Sequence, residues 1–105
     1  MLQHATELII RVVEHLDDKF SLVELYEPQL DRCHLKTWIM YRHSNESFLL
    51  IPAEWGDADS HPKTLEFHYI GNMNAKKDFF AITNSHKEPF GIWTKESEYQ
   101  FKRKY

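Results

Sequence analysis

Apolar residues open the chain at helical spacing. Ala5, Leu8, Ile9, Val12, Val13 and Leu16 recur at i, i+3 and i+4, with Glu7, Arg11 and Glu14 off the stripe. The pattern predicts a first helix over residues 3 to 17, ended by the charged run Asp17-Asp18-Lys19. In the following FSLVELYEP, Ser21 stands three residues before Glu24, as in a capping box, and Phe20 and Leu25 are placed as a hydrophobic staple. A second, short helix is predicted there. Pro28 stops it and biases Glu27 toward an extended backbone.

From Leu35 the period falls to two. Leu35, Thr37, Ile39 and Tyr41 alternate with Lys36, Trp38, Met40 and Arg42, and FLLIPA follows the turn residues HSNES, so residues 35 to 53 read as a hairpin. Leu65, Phe67 and Tyr69 alternate with Glu66, His68 and Ile70 in a third strand. FFAIT and FGIWTK form a second hairpin about the NSHKEP loop, and SEYQFKRKY suits a last strand, a short helix or a basic tail. The outline is a single α+β domain over residues 1 to 105: an N-terminal helix and a short second helix packed on a roughly five-stranded, mainly antiparallel sheet. The alternative is a winged helix-turn-helix. It requires a third helix over residues 29 to 43, against the β-branched and aromatic TWIMY.

A chain of 105 residues, 42% hydrophobic and 28% charged, suffices for one packed core. The apolar run near the start is broken by Arg11, so it predicts neither a membrane span nor a signal-peptide core. With one cysteine, Cys33, no intrachain disulfide forms, and a cytoplasmic location is expected. Residues 1 to 60 carry five Lys/Arg against eleven Asp/Glu, a balance of -6, while residues 61 to 105 carry eight against five, a balance of +3. The acidic majority argues against a general phosphate binder and leaves a basic surface near the C-terminus.

Asp57, Asp59 and His61 stand at every second position, which on an extended backbone points three metal-ligand types to one side. The loop lacks the glycine and glutamate of a calcium-binding EF-hand, having Pro62 and His68 at those positions. Asp, Ser, Gly and Pro also accumulate wherever a chain turns. His68 shares a strand face with Glu66, a pairing that a metal-dependent hydrolase or nuclease would use. No HExxH, CxxC, GxSxG or glycine-rich phosphate loop is present, so no catalytic residue, metal set or cofactor is assigned.

Aromatic and basic residues interleave at Trp38 and Arg42, at Trp93 and Lys95, and at Lys102, Arg103 and Lys104 among Tyr99, Phe101 and Tyr105. With Trp55 beside the polar loop, Trp38, Arg42, Trp93, Lys95, Lys102, Arg103 and Lys104 make up the candidate binding residues. The leading expectation is a small non-enzymatic protein that binds another protein as a regulator, inhibitor or adaptor. The alternatives are a nucleic-acid-binding domain and, after it, a metal-dependent hydrolase. No membrane partner is expected, and an exposed last strand would offer a route to a homodimer.

Overall fold

The computed structural model describes residues 5–28, 32–44, 47–53, 64–72 and 77–105, with residues 32–36 described in their backbone alone. Eight strands follow one another: β1 (Glu7–His15), β2 (Phe20–Glu27), β3 (Arg32–Arg42), β4 (Phe48–Pro52), β5 (Leu65–Gly71), β6 (Phe79–Asn84), β7 (Pro89–Ser97) and β8 (Gln100–Arg103). Each pairs antiparallel with the next, and β8 returns to β1 through Leu8 opposite Phe101, closing an up-and-down barrel.

This corrects the α+β expectation. Among the described residues there is no α-helix, and both predicted helices are strands. The physical reason lies in a run that satisfies two periods at once. Leu8 and Ile10 are buried and Val12 packs against the core, so the period-two reading wins, and the β-branched Ile9, Ile10, Val12 and Val13 favour it. On β2 the buried positions are Ser21, Val23, Leu25 and Glu27. Ser21 caps no helix. The Asp17 carboxylate instead accepts hydrogen bonds from the backbone N–H groups of Lys19 and Phe20, both at 2.8 Å, and turns β1 into β2. The winged-helix alternative falls with it, because the third helix it needs is β3.

The expected strands from Leu35 onward are present. β3 pairs β4 with Ile39 opposite Ile51, and β6 pairs β7 with Phe80 opposite Trp93. β8 is hydrogen-bonded on both sides, so a homodimer through a free last strand has no edge to use.

The barrel is filled by its inward side chains. Leu8, Val23, Leu25, Leu50, Phe67, Ile82, Trp93 and Phe101 are fully buried. Phe67 stacks on Phe48 with ring centroids 4.4 Å apart and meets Phe101 at 5.3 Å, while Phe80 stands edge-on to Phe101 at 5.4 Å. Eight strands enclose a space that side chains can fill, and burying each large apolar side chain contributes about 1.5–3 kcal/mol. Buried Asn84 accepts backbone hydrogen bonds from His86 and Glu88 at 2.9 and 3.0 Å, which fixes the β6–β7 turn.

Candidate functional site

Because the strands alternate in direction, the β1–β2, β3–β4, β5–β6 and β7–β8 turns all lie at one end of the barrel. Along the inward positions of three strands, composition changes toward that end. On β2 the order is Leu25, Val23, Ser21; on β3 it is Trp38, Met40, Arg42; on β7 Trp93 is followed by Lys95, which lies opposite Phe101. The pleat that points Trp38 and Trp93 into the core therefore points Arg42 and Lys95 into its polar mouth.

A cleft of about 510 Å³ opens there, lined by His15, Asp17, Asp18, Lys19, Ser21, Met40, Arg42, Glu98 and Tyr99. Beside it lies a smaller recess of about 40 Å³ formed by Arg42, Ser44, Phe48, Phe80, Lys95, Glu98 and Tyr99. Arg42, Glu98 and Tyr99 border both. Arg42 is fixed across the mouth by a hydrogen bond from its Nη2 to the Tyr99 hydroxyl at 2.6 Å. Tyr99 is itself held in the β7–β8 turn, where its carbonyl accepts from the Ile10 N–H at 2.8 Å. His15 Nδ1 lies 3.1 Å from Ser21 Oγ. That distance suits a nucleophile and its base, but among the described residues no carboxylate orients the imidazole.

The sequence-predicted residues divide among several places. Arg42 and Lys95 both line the small recess at the mouth. Trp38 and Trp93 are 6% and 0% exposed inside the barrel, so neither indole is presented to a base or a partner. The Trp93 Nε1–H donates to the Phe90 carbonyl at 2.8 Å. Arg103 lies over the Trp93 ring at 5.8 Å and donates from Nε to the Tyr105 carbonyl at 3.1 Å, at the end opposite the mouth. Lys102 and Lys104 are exposed. Trp55, Asp57, Asp59 and His61 lie outside the described residues.

His68 sits on the outer face of β5, with its Nε2 at 3.2 Å from both Glu66 and Thr83 Oγ1. Lys87 approaches the same Glu66 carboxylate at 3.2 Å. Partial burial pushes Glu66 up, but Lys87 and His68 outweigh it and hold the carboxyl below its ordinary range. Among the described residues no group of three His, Cys, Asp or Glu side chains is placed to hold a metal ion. No helix among them is long and apolar enough to cross a membrane.

Pattern reading missed His15, Lys19, Ser21 and Glu98 as mouth residues. The signal that marks His15 and Ser21 is the polar end of an otherwise apolar inward row, visible once β1 and β2 are read as strands, while Lys19 and Glu98 sit in the β1–β2 and β7–β8 turns. Comparison with known protein families, with curated proteins and with solved structures finds no match for this chain.

Proposed function

We propose that this protein is a non-enzymatic binding protein that holds a small polar ligand at the mouth of its barrel. The observation that supports the reading is the cleft of about 510 Å³ where the filled core gives way to inward-facing polar side chains from β1, β2, β3 and the β7–β8 turn. Its size lies in the range of small-molecule sites, and barrel mouths are among the places where such sites form. Rigid strands supply Ser21, Met40 and Arg42, so the site stands on the part of the fold least free to move. The test is a backbone amide NMR titration against a set of small polar metabolites. Shifts confined to residues 15–21, 42–44 and 95–99 are expected. Shifts only at the opposite end, or none with any compound, would overturn the reading.

A second reading, protein binding, has its own observation. Phe20, Tyr41 and Leu49 form one cross-strand row on the outer face of β2, β3 and β4, and Leu22, Ile39 and Ile51 form the next. All six are partly exposed, and the Phe20 and Tyr41 rings lie 4.9 Å apart. A contiguous apolar face of this kind suits a protein partner. Ile39→Asp would abolish such association and leave the mouth titration unchanged; association that survives it would place the contact elsewhere. The single Cys33 supports a cytoplasmic setting for either activity.

A further inference from the structure

We propose that the mouth selects a small organic anion, with a carboxylate or phosphate group seated between Arg42 and Lys95. The inference rests on the small-ligand reading above and adds the chemical class.

The argument begins with charge at depth. Arg42 and Lys95 are both partly buried, both face into the barrel end, and both line the recess of about 40 Å³. Among the described residues neither makes an ion pair within 4.0 Å; His68 and Lys87 pair with Glu66, and Lys77 with Glu96, all away from the recess. Two partly buried cations that line one recess have each lost part of their hydration, which a bound anion would replace.

Every other charged or titratable group facing the cleft fits the same picture. Glu98 reaches both recesses from the exposed turn, and Asp17 and Asp18 stand at the exposed rim, where water screens them. Asp17 is already engaged by two backbone N–H groups. Lys19 and His15 add further donors on the rim. Arg42 and Lys95 are therefore the partly buried charges of the recess, Glu98 reaches it from an exposed turn, and Asp17 and Asp18 stay at the rim, an order that seats an anionic group on the two cations and places a polar or cationic remainder against the carboxylates.

Geometry supports an oxyanion over a halide. The Tyr99 hydroxyl engages Arg42 Nη2, fixing the guanidinium plane, and the remaining N–H donors of that fork match the spacing of carboxylate or phosphate oxygens. Phe48 and Phe80 line the recess with apolar surface, and low-dielectric walls strengthen a charge contact beside them.

The test uses the full chain and thermal-shift and calorimetric titration at constant ionic strength. The probes are succinate, inorganic phosphate, sodium chloride, and glucose as a neutral polar compound. Succinate or phosphate should raise the melting temperature at millimolar concentration, and the arm that responds assigns the carboxylate or the phosphate. Arg42→Met and Lys95→Met should each weaken that binding roughly tenfold or more. Arg42→Lys should recover part of it, and Lys87→Met, on the turn at the opposite end, should bind as the parent does. Circular dichroism checks that each variant retains the parent strand signature. Stabilisation by glucose alone would overturn the anion assignment and leave the small-ligand reading intact. Anion binding unchanged in both Arg42→Met and Lys95→Met would overturn the assigned seat. No binding of either anion overturns the proposal, and the metabolite titration then decides the broader reading on its own.

Discussion

Arg42 and Tyr99 stand 57 residues apart in sequence, and their side chains meet at 2.6 Å across the barrel mouth. This contact ties the end of β3 to the β7–β8 turn, two elements that share no ladder. Tyr99→Phe removes the acceptor without changing the ring. The expected loss is about 1 kcal/mol of stability, read as a lower urea midpoint at an unchanged slope. Combined with Arg42→Met, the double variant should lose less than the sum of the two single ones, because the pair is one interaction. Additive losses would show that the contact contributes nothing in solution.

The aromatic cluster makes Phe67 a residue whose truncation the fold tolerates poorly. It is fully buried, stacked on Phe48 at 4.4 Å and in contact with Phe101. Phe67→Ala should cost about 3–5 kcal/mol, a large share of the roughly 5–15 kcal/mol available to a domain of this size. Chemical denaturation measures it directly. A loss below about 1 kcal/mol would mean that the ring is not in a packed interior.

The first two strands give the sharpest test of architecture. Far-UV circular dichroism should show a strand spectrum without the paired helical minima, and Asp17→Ala should destabilise the protein by about 1 kcal/mol by releasing two backbone donors at the β1–β2 turn. A helical segment over residues 3 to 17 would place Asp17 at a helix C-terminus, where losing its negative charge is neutral or favourable. The sign of the Asp17→Ala effect therefore separates barrel from helix.

That same region explains where sequence reading succeeds and where it stops. From Leu35 to Lys95 the β-branched and aromatic runs are short and flanked by turn residues, and Leu65 to Tyr69 alternates apolar with polar, so the strands and their hairpins are legible locally. In LIIRVV every residue but Arg11 is apolar, so stripe and alternation are both satisfied, and only the β-branched content separates them. The Ser21-x-x-Glu24 pair imitates a capping box because any strand with one inward serine and an outward acid at that spacing carries the same letters. Closure is invisible for a different reason: Leu8 and Phe101 pair across almost the whole chain, and no local signal encodes a partner so distant. Arg42 and Lys95 were found as basic residues beside tryptophans, but their inward orientation follows from pleat parity within a barrel, which the α+β outline does not contain.

Acid should act through two outer carboxylates. Lys77 Nζ donates to Glu96 at 2.7 Å and the Thr94 hydroxyl donates at 2.7 Å, and together they hold Glu96 below the ordinary value of 4.5. Glu66 lies below the same value despite partial burial, through Lys87 and His68. A carboxyl whose pKa is lower folded than unfolded contributes stability that is fully present above about pH 4.5 and is lost as pH falls through the folded value. Urea midpoints should therefore be level above that point with respect to these groups and decline below it. Glu96→Gln should make the decline shallower; an identical acid limb in the variant would show that Glu96 carries no part of it.

Two glycines of similar backbone conformation give a last contrast. Gly71 has φ of 126° and Gly91 has φ of 97°, both in the region that L side chains rarely adopt. At Gly71 an added Cβ meets nothing within 4 Å, so Gly71→Ala bears the conformational cost alone, about 1–2 kcal/mol. At Gly91 the same atom would run into the Tyr105 carbonyl oxygen and lie 2.6 Å from Arg103 Nε. Both belong to the contact in which Arg103 Nε donates to the Tyr105 carbonyl beside Trp93. Gly91→Ala must displace that C-terminal segment, which is backbone-bonded to Ile92 through Lys104 and Tyr105, as well as strain its own φ. It should therefore destabilise more than Gly71→Ala, by an additional ~1 kcal/mol or more. Amide exchange should show the added opening at Ile92, Lys104 and Tyr105, with the mouth residues unaffected. Equal costs for the two substitutions would mean that the C-terminal segment does not close over Gly91.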